Sequence, residues 1–337
     1  MLMKQLWAVV LAAGEGKRMH SELPKVLHTL CGRPMLDYIL RSAVGLTGNI
    51  LVVVGHGASQ VQGAIEGNWR YVLQEQQLGT GHAVLQALRE LPDQGSLLVL
   101  CGDTPLIEPV HLERLLAEHK NRAAAVATTE LSDPTGYGRI VRSGSSMVER
   151  IVEEKDASEE EKKIDEINTG TYCFDIGLLK HYLPLLGTEN AQNEYYLTDV
   201  IALMRADGYE TSACLIGDYR VGLGINNRVQ LAEATRMLQK RINRSLMLSG
   251  VSMPDPESVY TDVDVVIGPD TVIRPNCVLE QGTVIGSGCL IGPNVHLRGT
   301  VVKDRAAIRH AVIMDSIVDQ DQKIGPFTLI DAQEGNQ

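Results

Sequence analysis

The chain lacks any excess of positive charge. Its 31 Lys and Arg stand against 42 Asp and Glu, a formal net charge of −11. A nucleic acid or an anionic membrane wants a basic surface, so neither is expected as a partner. The six cysteines, at 31, 101, 173, 214, 277 and 289, form no C-x-x-C pair and no metal-type spacing. Reduced thiols in a cytoplasm are the expectation. No apolar run approaches the length of a membrane span, and the short one near Met1 carries no cleavage pattern, so neither span nor signal peptide is expected. Two common nucleotide-binding loops are missing as well. No G-x-x-x-x-G-K-[ST] occurs, and no G-x-G-x-x-G.

What is present is concentrated first in residues 11–25, LAAGEGKRMHSELPK. The apolar run Leu6-Trp7-Ala8-Val9-Val10-Leu11 reads as a buried parallel strand. Gly14 and Gly16 follow, then Lys17, Arg18 and Lys25. A glycine turn after a strand lets backbone N–H groups approach a phosphate, and the cations supply the opposing charge. Because the chain as a whole is acidic, a polyanion site has to gather its cations locally, as this segment does.

Length and a 44% hydrophobic content allow two domains with sizeable cores. Up to about residue 228, strand-like runs at 6–11, 50–54, 97–101, 122–128 and 170–174 alternate with helical patterns. These fall at 35–46, 58–66, 80–90, 109–119, 176–186 and 194–206. Such alternation predicts an α/β domain with a mostly parallel sheet over 1–228. Residues 229–247 contain no Gly or Pro and predict a connecting helix within 229–250. After Gly250 the period changes. Ile267, Ile273, Leu279, Ile285, Ile291 and Leu297 recur every six residues, with Thr271, Cys277, Thr283, Cys289 and Val295 on a parallel small-residue series. Neither a helix nor a lone strand produces this period. It predicts a hexapeptide β-helix over 251–337, of roughly four coils at about eighteen residues each. The register loosens after Leu297 and resumes at Ile308, Val318 and Ile324.

The first segment resembles the L-x-x-G-x-G-[T]-[RK]-M-x(4)-P-K signature of sugar-phosphate nucleotidyltransferases. Later motifs narrow the match: QQLGTGHA at 76–83, CGDTPLI at 101–107, DPTGYGRI at 133–140, IVEEKDA at 151–157, EINTG at 166–170, NEYYLTD at 193–199 and GINNR at 224–228. With the hexapeptide tail, they resemble the bifunctional family that makes UDP-N-acetylglucosamine, an N-acetylglucosamine-1-phosphate uridyltransferase joined to a glucosamine-1-phosphate acetyltransferase. The resemblance implies a Rossmann-like nucleotidyltransferase domain followed by a left-handed parallel β-helix, as in a C-terminally truncated form lacking most of the acetyltransferase domain and its activity. It also implies UTP and N-acetylglucosamine 1-phosphate as substrates, pyrophosphate as product, Mg²⁺ as cofactor, a cytoplasmic homotrimer, and a place in cell-wall precursor synthesis.

Carried over residue by residue, Leu11, Ala12, Ala13 and Gly14 match the segment contacting uracil and ribose. Gln74, Gly79 and Thr80 match uracil-recognising positions, where a side-chain amide can donate and accept in one plane. Cys101 and Gly102 precede Asp103, which matches the magnesium-binding aspartate. Asn226, the first Asn of GINNR, matches the asparagine completing that site; two protein oxygens suit a magnesium ion that takes its other ligands from phosphate and water. Gly138, Glu153 and Asn168 match residues that hold the acetamido sugar, and Arg18 and Lys25 match the phosphate-binding cations. Lys17 stands where the family usually has Thr, which adds a cation beside the triphosphate. His56, His82 and His310 read as structural, and Cys277 and Cys289 as packed core thiols. A transferase for another sugar 1-phosphate or for dTTP, a non-catalytic regulatory subunit and a hexapeptide acetyltransferase are the rival readings.

Overall fold

The structure, a computed structural model, describes residues 5–144 and 147–332. The chain divides into two compact units. One takes residues up to His28 and from Pro34 to Asn227; the other takes Thr29–Arg33 and residues from Arg228 on.

In chain order the strands of the first part are β1 (Leu6–Ala12), the short pair β2 (Thr29–Leu30) and β3 (Arg33–Pro34), β4 (Ile50–Val54), β5 (Arg70–Leu73), β6 (Ser96–Cys101), β7 (Ala124–Glu130), β8 (Arg139–Ser143), β9 (Met147–Val152), β10 (Glu166–Asp175) and β11 (Thr211–Leu215). All but β2 and β3 build a nine-stranded sheet in the order β5-β4-β1-β6-β10-β7-β11-β9-β8. Strands β5, β4, β1 and β6 pair in parallel, as do β7 and β11. β10 runs antiparallel between β6 and β7, and β9 runs antiparallel to β11 and β8. The continuous apolar run of β1 follows from burial on both faces. Trp7 and Val9 enter one core layer, with Val84 and Ala87 of α3 (Thr80–Ala87) and Val200 and Met204 of α6 (Asp199–Ala206). Ala8, Val10 and Ala12 enter the other, with Leu36 and Ile39 of α1 (Met35–Val44), Val61 of α2 (Ala58–Ala64) and Leu112 and Leu115 of α4 (Pro109–His119). Helix α5 (Ile176–Tyr182) follows β10 directly, its first turn capped by the Asp175 carboxylate, which accepts from Leu178 N at 3.1 Å. The carboxyl ends of the parallel strands β1 and β6 lie side by side, with Leu11 opposite Cys101. Crevices at such ends are where open α/β sheets bind ligands.

The second unit opens with α7 (Arg228–Leu248) and continues as a left-handed parallel β-helix whose short strands stack into three ladders of five, four and four. Ladder partners are eighteen residues apart at Tyr260, Val278 and His296, then sixteen apart at Val312 and seventeen at Leu329. This shortening explains the loosened period. The buried aliphatic series steps by six to Leu297, by five to Val302, by six to Ile308, by five to Ile313 and Val318, and by six to Ile324. The core row is therefore unbroken; the corners lose a residue.

Helix α7 also satisfies the open edge of the first coil. Gln239 accepts from Thr261 N at 3.0 Å and donates to Thr261 O at 3.2 Å. Asn243 donates to Val259 O at 2.9 Å and Pro256 O at 2.8 Å and accepts from Thr261 Oγ1 at 3.0 Å. Two buried amides thus do for the first coil what the next strand would do. Cys31 completes this junction: Val263 N donates to its carbonyl at 3.1 Å. Burial, with the Asp262 carboxylate adding, pushes its thiol up to about 12.

Candidate active site

A cleft of about 480 Å³ opens at the ends of β1 and β6. Of the residues singled out in the sequence, Leu11, Ala12, Ala13, Gly14, Arg18, Lys25, Gln74, Gly79, Thr80, Cys101, Asp103 and Asn226 line it. The glycine turn is shaped by close approaches. Gly16 has φ +64°, and a Cβ there would lie 2.6 Å from Lys25 Cβ. Only glycine combines that backbone with that proximity. Gly14, by contrast, has nothing within 4 Å of the position a Cβ would take, so its backbone faces open space. Gly102 is buried just behind the cleft and ties its two walls together, its N–H donating to Leu11 O at 2.9 Å.

At the floor, Lys25 Nζ donates to the Asp103 carboxylate and, at 3.1 Å, to Asn226 Oδ1. Ile225 N donates to Asp103 O at 2.9 Å, which holds the GINNR segment beside the β6 end. Two hard oxygens therefore converge on one cationic point. Among the described residues there is no cluster of three or more His, Cys, Asp or Glu that could hold a metal. A carboxylate plus an amide oxygen fits an ion that draws its remaining ligands from phosphate and water. Cys101 is no rival nucleophile. Burial, with Asp103 adding, pushes its thiol up to about 12, and Sγ donates to Gly170 O at 3.3 Å.

Gly138, Glu153 and Asn168 gather in a second cluster. Asn168 N donates to Gly138 O at 2.8 Å, and a Cβ on Gly138 would lie 3.4 Å from a Glu153 carboxylate oxygen. Burial raises the pKa of Glu153, partly offset by the hydroxyl of Thr198, which donates to it at 3.2 Å. Asn168 Nδ2 donates to the Tyr172 hydroxyl at 2.6 Å. The clusters adjoin through Gly170, whose N–H donates to Asn168 Oδ1 at 2.9 Å while its carbonyl takes the Cys101 thiol.

Lys17 also lines the cleft, its ammonium paired with Glu15 at 2.6 Å and its side chain 85% exposed. The cleft also has wall residues given no role from sequence, the polar Glu15, Gln77 and Glu194 and the apolar Val26 and Ala83 among them. Glu194 sits in NEYYLTD, and the reason for that motif is visible. Gly81 N donates to Tyr195 O at 2.8 Å, Tyr195 N to Leu78 O at 2.8 Å and Leu197 N to Thr80 Oγ1 at 3.2 Å, so the motif braces the QQLGTGHA wall. No helix among the described residues is long and apolar enough to cross a membrane.

The MobA-like NTP transferase domain matches residues 8–165, and the GMPPB C-terminal domain matches 261–334. The bifunctional protein GlmU of Listeria monocytogenes serotype 4a (strain HCC23) is 46% identical over 329 residues, which is 96% of this chain and 72% of that protein. The bifunctional protein GlmU of Trichlorobacter lovleyi is 49% identical over 95% of this chain and 71% of its own length. Among solved structures, a UDP-glucose pyrophosphorylase complexed with UDP-glucose superimposes with a TM-score of 0.59 at 18% identity, covering 71% of this chain and 100% of its own. The Acinetobacter baumanii UDP-glucose pyrophosphorylase gives 0.55 at 20% identity, over 73% and 99%. These two likenesses establish the fold alone. With a glycine turn, converging cations and a carboxylate–amide pair on that fold, and with identity near one half across almost all of its length, the chain belongs to the GlmU family of sugar-1-phosphate nucleotidyltransferases.

Proposed function

We propose that the chain is a uridyltransferase that converts UTP and N-acetyl-α-D-glucosamine 1-phosphate to UDP-N-acetylglucosamine and pyrophosphate, with the chemistry in residues 1–228. The observation that carries this reading is the convergence of Lys25, Asp103 and Asn226 at the floor of a cleft whose rim is the glycine turn with Arg18.

A phosphate oxygen of the sugar phosphate attacks the α-phosphorus in line, and pyrophosphate departs opposite. The attacking oxygen is already ionised at neutral pH, so no covalent enzyme intermediate and no general base are needed. The barrier is the repulsion of two polyanions plus the charge that grows on the leaving group, and the protein answers it by positioning and by fixed charge. Leu11 to Gly14 cradle the nucleoside end, and Gln74, Gly79 and Thr80 read the base. Arg18, which has no ion-pair partner among the described residues, takes the β,γ end, where a planar fork suits two phosphate oxygens. Lys25 neutralises phosphate oxygens as a compact charge. Asp103 and Asn226 would hold Mg²⁺, which when bound supplies charge neutralisation at the phosphates that meet there. Glu153 and Asn168, with the backbone at Gly138, hold the acetamido sugar. The β-helix, expected over 251–337 with 333–337 outside the described residues, serves assembly as a homotrimer, with 229–250 as the connecting helix; light scattering of the purified chain checks this, and a monomer would remove the assembly role.

The decisive assay is pyrophosphate release across nucleotide and sugar-phosphate pairs. UTP with N-acetylglucosamine 1-phosphate should give the highest kcat/KM, because polar groups built for the acetamido group are left unpaired by a sugar without it. Equal efficiency with glucose 1-phosphate would shift the reading to another sugar-phosphate transferase.

A further inference from the structure

We infer that His82 is a positioning residue that locks the Gln74 side-chain amide with its oxygen toward the nucleotide, and so sets the preference for a base carrying an imide N–H. This rests on the nucleotide reading of the cleft. Gln74 follows β5 and is buried, 3% exposed, with its backbone N–H donating to Val54 O at 2.8 Å. Its Nε2 lies 3.2 Å from Gly79 O and 3.0 Å from His82 Nδ1.

The hydrogen-bond roles follow by elimination. Gly79 O is a carbonyl and can only accept; it also accepts from Ala83 N at 3.1 Å in the first turn of α3. Gln74 must therefore present its NH₂ to that point, which fixes the orientation of the amide. The second N–H then falls to His82 Nδ1, which has to be the unprotonated ring nitrogen. The proton is on Nε2, 3.0 Å from the side-chain amide of Gln86. Two amide NH₂ groups cannot both donate to one neutral imidazole, since it has a single acceptor. Gln86 Nε2 also lies near a carbonyl, His82 O, but at 3.4 Å against the 3.2 Å from Gln74 Nε2 to Gly79 O, so Gln86, the more loosely held of the two, is the amide that turns its oxygen to the ring. Tyr195 stacks on the imidazole, centroids 6.2 Å apart and planes 29° apart, and holds it in place.

With both its N–H groups committed, Gln74 offers the cleft only Oε1, which has no protein partner among the described residues. An amide oxygen accepts from the N3–H of uracil. Cytosine carries a lone pair at N3, so the same oxygen meets it acceptor to acceptor. Without His82 the second amide hydrogen is released, and the amide, then anchored only through Gly79 O, can swing that N–H toward the cleft. Selectivity at the base is thus built one residue behind the residue that touches it.

The test compares UTP and CTP with wild type, His82→Leu and His82→Gln, the last retaining an acceptor. His82→Leu should lower the UTP/CTP ratio of kcat/KM by about tenfold, mostly through the KM for UTP, as expected when one buried hydrogen bond is lost. His82→Gln should restore most of the ratio. An unchanged ratio in folded His82→Leu overturns the inference. Histidine ¹⁵N shifts of the wild-type protein give a second reading that needs no variant: Nδ1 unprotonated is expected, and a protonated Nδ1 overturns the lock. Failure of the nucleotide reading itself looks different, because wild type would then bind no UTP while the tautomer remained as assigned.

Discussion

Gly16→Ala probes the glycine turn through backbone and packing alone, removing no charged or hydrogen-bonding group from the cleft. At φ +64°, alanine in the left-handed region costs about 1–2 kcal/mol. The added Cβ would sit 2.6 Å from Lys25 Cβ, where ordinary contact begins at 3.4 Å, so something must give by roughly 1 Å. The atom in the way is the root of the Lys25 side chain, not its flexible tip, and the displacement therefore carries to the ammonium. Misplacing a catalytic group by about 1 Å can cost on the order of 10² in rate. The variant should keep its far-UV circular dichroism, lose a few degrees in Tm, and fall about 10²-fold in kcat for pyrophosphate release. Turnover within threefold of wild type, in folded protein, would refute the reasoning. It would mean either that the turn relaxes away from Lys25 or that Lys25 need not be held where it is.

The fold elements legible in the sequence are those governed by one dominant constraint. Burial on both faces makes β1 an unbroken apolar run, and the β-helix repeats because each coil meets the same neighbour. Other strands escape the sequence reading, β5 and β11 among them, and in the β8–β9 hairpin the cause is buried or shared charge. The hairpin β8–β9 carries Arg139, Arg142, Glu149 and Arg150, which break any apolar period. In the fold Arg139 is 1% exposed, with Glu154 at 2.7 Å, and Arg142 pairs with Glu166 at 2.6 Å. Such partners are tertiary, so hydropathy does not reveal them. The helical pattern at 194–206 begins as a helix only at Asp199, because residues 195–197 spend their backbone groups bracing the wall of the cleft. At the site, motifs reach the individual residues but not their coupling. Lys25, Asp103 and Asn226 stand 78 and 201 positions apart, as counted from Lys25, and nothing in their local sequence says that one ammonium joins all three.

Two further predictions separate the chemistry from the scaffold. Lys25→Ala and Asp103→Ala should each lower uridyl transfer by at least about 10²-fold with the fold intact, since each removes one preorganised electrostatic contact; near-normal turnover in either would take that residue out of the site. Asn243→Ala should spare the groups of the cleft and weaken the second unit instead. The substitution strips donors from the carbonyls of Val259 and Pro256 and acceptors from Thr261 Oγ1 and Gln239 Nε2. Net hydrogen bonds are modest, but buried groups left unmade are costly, and the alanine side chain is too short to admit a substitute partner; the loss should be about 2–4 kcal/mol. Urea unfolding followed by hydrogen exchange at the first coil measures it. Exchange should accelerate first around residues 259–261. A loss below about 0.5 kcal/mol would mean that water replaces the amide at the first coil, and that α7 covers the β-helix by packing rather than by hydrogen bonding.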